Sequence, residues 1–157
     1  MLMIMTVSRA AFVDTTENPG NTWTAGALEL TDNKNGTALF TVADMAPGHT
    51  GDNCIEVTKS GVDADIVLSG TATNTALGSF MTLSVTRYPG ATCTGTSADV
   101  YSGTLAGFPT GITDSWDTTV DGNLNSYYFE WTFPQDATNG LQNATAGASF
   151  LWTATSN

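Results

Sequence analysis

The chain has 157 residues, a length that suits one domain with a substantial core. Hydrophobic residues make up 41 %, which excludes a disordered chain, and charged residues make up only 12 %, about half the usual share. With 4 basic and 15 acidic residues the net charge is −11, so the surface repels nucleic-acid phosphates and anionic lipid headgroups. Like charge also holds free copies apart, so self-association has to draw on apolar burial or backbone pairing.

The chain opens Met1-Leu2-Met3-Ile4-Met5-Thr6-Val7, almost continuously apolar. This run is far shorter than the roughly 20 apolar residues of a membrane span, so no membrane insertion is expected. It also lacks the basic start and the length of a signal peptide; an export signal in a longer precursor would lie upstream. Such a run has to be covered, either as a first strand of its own sheet or as a strand donated to a neighbouring copy. We read 1–12 as an apolar donor strand and 13–157 as a single β-sandwich domain.

Polar character comes mostly from Thr, Ser, Asn and Gly. The 28 threonines favour strands through their stiff, branched side chains, and the 16 glycines supply turns. Period-two alternation then recurs along the chain. Ala38-Leu39-Phe40-Thr41-Val42 reads as a strand with Phe40 and Val42 on one face. Ile55 and Val57, then Ile66 and Leu68, then Met81, Leu83 and Val85, alternate with polar or smaller residues. Tyr127, Phe129, Trp131 and Phe133 share one face, as do Phe150, Trp152 and Ala154. Turn signals stand between these runs at Asn35-Gly36, Gly51-Asp52, Ser60-Gly61, Pro89-Gly90, Asp121-Gly122 and Asn139-Gly140. Short helical turns fit near Thr22–Ala27 or Gly111–Thr118. With no internal repeat or linker, the pattern predicts an all-β, two-sheet sandwich.

Cys54 and Cys93 admit three readings: a disulfide, two buried thiols, or part of a metal site. The disulfide is favoured, and the metal site is disfavoured because two Cys and one His do not complete a tetrahedral set. His49, the sole histidine, lies in a Pro-Gly-His-Thr-Gly turn and reads as an exposed loop residue, with no partner for a catalytic triad or a zinc helix. Asp114, Asp117, Asp121, Asn123 and Asn125 form an oxygen-rich run that echoes the start of a calcium loop, but the glycine and closing Glu of such a loop are missing; a solvated acidic loop is the better reading, and no metal is expected. Asn35-Gly36-Thr37 and Asn143-Ala144-Thr145 are acceptor sequons and candidate glycosylation sites. Trp131 and Trp152 belong to apolar faces and read as core. Trp116, among polar residues, is the one candidate for an exposed sugar-stacking platform.

Three segments resemble the TasA/camelysin family of secreted bacterial and archaeal matrix proteins. Ala11-Phe12-Val13-Asp14 followed by Gly20-Asn21-Thr22-Trp23-Thr24-Ala25-Gly26-Ala27-Leu28-Glu29-Leu30 is similar to the family's mature start and its N-T-F-x-A-G-T-L-D-L strand. Here Trp23 stands in the Phe place and Glu29 in the Asp place. Asp44-Met45-Ala46-Pro47-Gly48 is similar to its x-L-x-P-G-D turn, with a strand following from Cys54 to Gly61. The stretch from Gly140 to Ala154, with Gln142, Gly147 and Trp152, resembles its aromatic-rich last strand. The chain departs from the Bacillus-like pattern in its two cysteines, few lysines and shorter middle.

The resemblance implies a jelly-roll sandwich that polymerises outside the cell, each subunit filling a groove of the next with its N-terminal strand. In that reading the chain is a structural subunit without cofactor or catalytic residues. It forms a homopolymer at the cell surface or in a biofilm matrix, in contact with other matrix components. Met1, Leu2, Met3, Ile4, Met5 and Val7 supply the burial. Two rival expectations are a monomeric adhesin or carbohydrate-binding domain and a camelysin-like metalloprotease; the latter lacks HExxH and a second histidine.

Overall fold

The computed structural model describes residues 13–18, 20–22, 28–35, 37–40, 42, 45–72, 76–141 and 143–157. Side chains are described from Leu28 onward, except those of Ile112, Thr113 and Asn139. The donor segment, Trp23 and the helical turn expected over Thr22–Ala27 lie outside these residues, apart from the backbone of Thr22.

The described strands are β1 (Val13–Asn18), β2 (Gly20–Thr22), β3 (Leu28–Asp32), β4 (Thr50–Gly61), β5 (Ala64–Ala72), β6 (Thr82–Pro89), β7 (Ala98–Thr104), β8 (Ile112–Asp117), β9 (Leu124–Thr132) and β10 (Ala148–Ser156). Two short helices, α1 (Ala76–Phe80) and α2 (Thr118–Asp121), lie between β5 and β6 and between β8 and β9. One five-stranded sheet runs β2-β1-β10-β5-β8, the other β3-β4-β9-β6-β7, and the described pairings are antiparallel. Set β2 and β3 aside and number the remaining eight strands along the chain. The sheets then run first-eighth-third-sixth and second-seventh-fourth-fifth, the jelly-roll wrapping of two Greek keys. The expected all-β sandwich is present.

Alternation explains the packing. Ala64, Ile66 and Leu68 of β5 and Phe150, Trp152 and Ala154 of β10 point inward from one sheet; Ile55, Val57, Leu83, Val85, Tyr127, Phe129 and Trp131 meet them from the other. Rings meet through this core, edge-on from Tyr127 to Trp152 at 5.4 Å, Phe150 to Phe108 at 5.2 Å and Phe108 to Tyr101 at 5.0 Å, and tilted from Phe129 to Phe150 at 4.4 Å. Offset and edge-on geometry is what ring quadrupoles favour. Lys59, on the inward face of β4, has no exposed side-chain surface. Its Nζ donates to the carbonyls of Gly61 (3.3 Å) and Val62 (2.8 Å) and lies 3.7 Å from Asp63, closing the β4–β5 turn with a buried cation that keeps its partners.

Several local expectations are corrected. Ala38–Val42 is not a strand: its described residues carry no strand pairing, Leu39 is buried, and Val42 is 46 % exposed. The side-chain amide of Asn53 donates to the Leu39 carbonyl at 2.7 Å and holds this stretch as a loop. Gly51-Asp52 is no turn but part of β4. The Trp131 indole lies 2.7 Å from where a Gly51 Cβ would stand, so a glycine lets the ring pack flat on the strand. Over Gly111–Thr118 the chain forms β8, with the helical turn following as α2. That turn is capped by Asp117, whose carboxylate accepts from the Thr119 backbone N–H at 2.8 Å.

Cys54 and Cys93 form a disulfide. Cys54 lies on the outer face of β4, so the bridge folds the β6–β7 loop back over the outside of its own sheet instead of joining the two sheets. Disulfides of this kind persist in oxidising compartments. Among the described residues no helix is long and apolar enough to cross a membrane.

The bridge spans 39 residues of sequence. The chain-entropy relation then gives a contribution of about 4 kcal/mol. Unreduced protein should label at neither cysteine with a thiol reagent, and Cys54→Ser/Cys93→Ser should lower the urea-unfolding free energy by about that amount. Labelling of both cysteines in unreduced protein would remove the bridge from the account.

Candidate functional site

The strand directions give the sandwich two poles. At one pole lie the connections β3–β4, β5–β6, β7–β8 and β9–β10. At the other lie the β4–β5 turn, α2 and the start of β1, where Val13 pairs with Thr155 and Ser156 pairs with Ala64.

The first pole carries an apolar cleft of about 180 Å3. Its floor is Leu83 of β6, Trp131 of β9 and Phe150 of β10, all nearly or fully buried. Leu39, Phe40, Val42 and Met45 of the β3–β4 loop form one wall. Met81, Leu105 and the Ala146–Ala148 stretch form the rest, so among the described residues no charged side chain lines it. Local hydrogen bonds fix these walls. Asn53 holds Leu39 and the Leu105 N–H donates to the Met81 carbonyl at 2.8 Å. Gly48 and His49 exchange backbone bonds of 2.7 and 2.8 Å with Phe133. Phe40 meets Trp131 edge-on at 6.5 Å. An apolar cavity of about 150 Å3 stays dry and admits a benzene-sized group, so this cleft suits one or two apolar side chains. Beside it, over Thr50–Ile55, the edge of β4 has no partner strand among the described residues: β3 pairs with Val57–Gly61, and Asn33 takes both backbone groups of Glu56, donating its N–H to the carbonyl at 3.2 Å and accepting the N–H on its side-chain oxygen at 3.1 Å.

A polar bridge joins the sheets elsewhere. Tyr127 of β9, fully buried, donates its hydroxyl to Asp114 of β8 at 2.9 Å. Arg87 of β6 lies 3.5 Å from the same carboxylate oxygen and donates to the Ser115 carbonyl at 3.3 Å. Burial, and then the Asp114 charge and hydrogen bond, hold the Tyr127 hydroxyl well above the usual phenol range.

The other sequence candidates do not assemble into a site. In the oxygen-rich run, Asp114 serves Tyr127 and Arg87, and Asp117 caps α2. Asp121 accepts from the Asp117 N–H at 3.3 Å, Asn123 is exposed, and Asn125 is buried opposite Val57. Among the described residues no three His, Cys, Asp or Glu side chains could hold a metal together. Trp116 is 2 % exposed and faces the core from β8, so it is no sugar platform. His49 is exposed, and its Nδ1 accepts from the Ala46 N–H at 3.2 Å, a turn contact. Asn35 and Asn143 are exposed, with left-handed backbones at φ 50° and 63°, in the two loops that lead into the cleft. Sequence reasoning missed Met45, Leu105 and Ala146–Ala148 as cleft residues, because they lie on separate loops and share no local pattern. No family model, curated protein or solved structure matches this chain.

The Tyr127 hydroxyl yields a pH prediction. In the unfolded chain a phenol ionises near pH 10, whereas in the fold it stays neutral to higher pH. Its contribution is therefore fully present below about pH 10 and is lost as pH rises toward the folded-state value. Tyr127→Phe should cost about 1–3 kcal/mol at pH 8, for the lost hydrogen bond to the carboxylate. It should also show a smaller further fall in urea midpoint between pH 9 and 11 than the unsubstituted protein. Equal falls in both proteins would sever this link.

Proposed function

We propose that the chain is the structural subunit of an extracellular filament, joined head to tail when residues 1–7 of one copy enter the apolar cleft of the next. The observation that carries this reading is the opposition of the poles. β1 begins at one pole, directly after the apolar segment, and the cleft opens at the other. A joint between opposite ends of identical subunits repeats without closing and gives a fibre. The open edge of β4 offers backbone partners to an added strand, while the cleft offers a socket for alternate side chains. With a net charge of −11, copies have to join by apolar burial or backbone pairing, and Met1, Leu2, Met3, Ile4, Met5 and Val7 are apolar. Each such side chain fully buried contributes about 1.5–3 kcal/mol. The disulfide fits assembly outside the cell. The resemblance to TasA-like matrix proteins adds to the same reading, in which the subunit is a homopolymer and not an enzyme.

Complementation between two blocked subunits tests it. A chain lacking residues 1–10 keeps the cleft but has no strand to give. Ala146→Trp keeps the strand but fills the cleft. The unaltered chain should form filaments in electron micrographs, and each altered chain alone should stay monomeric. An equimolar mixture of the two should give a one-to-one dimer by light scattering. Filaments from the shortened chain, or a mixture that stays monomeric, would refute strand exchange.

A further inference from the structure

The chain contains five methionines, and they fall in two places. Met1, Met3 and Met5 belong to the segment ahead of β1, and Met45 and Met81 line the cleft. Away from the cleft the core is filled by Leu, Ile, Val, Phe, Trp, Tyr and Ala instead. In any extended strand side chains alternate with a period of two, so a donated strand would bring positions 1, 3 and 5 to one face. Both partners of the proposed joint are thus rich in thioethers, which are flexible and polarisable and adapt to an irregular socket.

We propose that these methionines form a modification site at which peroxide controls assembly; the inference rests on the strand-exchange reading. A thioether sulfur attacks one oxygen of hydrogen peroxide and the O–O bond breaks. The sulfur gains an S–O bond and is oxidised by two electrons, while the second peroxide oxygen leaves as water after proton transfer. The product is a polar, chiral sulfoxide that has to be dehydrated to enter a cleft whose described lining is apolar. In the free subunit Met45 is half-buried at the cleft, whereas Met81 is 7 % exposed, so Met45 is the accessible one of the pair. Once a strand is seated, Met45 and the entering methionines are covered together. Oxidation therefore blocks new joints and spares finished ones.

The test treats the full chain with hydrogen peroxide before or after assembly, and follows filament yield by electron microscopy and sulfoxide content by mass spectrometry of peptides. Oxidation of free subunits should lower filament yield by on the order of tenfold or more, with circular dichroism showing the fold retained. Filaments treated after assembly should persist, with Met3, Met5 and Met45 largely unoxidised. Met3→Leu/Met5→Leu/Met45→Leu keeps the joint apolar without these thioethers, so peroxide should leave its filament yield at the level of the same variant untreated. Oxidised subunits that polymerise as well as untreated ones would overturn the proposal and leave strand exchange standing. So would a leucine variant as sensitive as the parent, or an oxidised chain that loses its fold. Absence of filaments from untreated protein would instead remove the strand-exchange reading itself.

Discussion

The structure depends on the meeting of β9 and β10 across the sandwich. Tyr127, Phe129 and Trp131 from one sheet face Phe150 and Trp152 from the other, and the rings touch edge-on through Phe108 to Tyr101. Rings of this size dominate core energetics, and their preferred angles fix the separation and offset of the sheets. Both strands are central in their sheets, so the remaining strands take their places from this contact. The cleft follows from it too. Trp131 and Phe150 lie where the last rings of the series reach the pole, and the loops there close over them only in part.

Much of this was legible because alternation is a direct record of facing. Phe129-Glu130-Trp131 and Phe150-Leu151-Trp152 could lie in strands with one buried face and little else. The misreadings have physical causes as well. Ala38–Val42 has the pattern of a strand, but a strand needs a partner, and the Asn53 amide turns the Leu39 carbonyl to a different use. Trp116 looked like a loop residue because its inward companions on β8 and α2 are polar. Asp114 reaches Tyr127, and the Thr118 hydroxyl accepts from the Ala64 N–H at 2.9 Å. A buried face built partly of hydrogen-bonded polar groups does not announce itself by hydropathy.

The cleft was illegible for a related reason. Its walls come from loops far apart in sequence, and no local period brings Met45, Leu105 and Ala146 together. The cysteines show the opposite balance. Their pairing followed from count and context, but its placement on the outside of one sheet depends on the parity of Cys54 in β4, which is set by Ile55 and Val57 turning inward.

The position of β1 bears on how the molecule responds to force. Its six residues pair with β10 along the long axis of the sandwich, from Val13 at one pole to Asn18 toward the other. Tension entering ahead of Val13 along that axis loads these pairs in shear, so they must fail together and not one after another. Pulling does not peel this strand away from an edge, because β2 flanks it on the other side. Should the sandwich yield, the stretch between Cys54 and Cys93 stays looped and cannot lengthen, which shortens the extension available from each molecule. The geometry is that of a tie bar: stiff along its length, with its slack limited by a covalent stop.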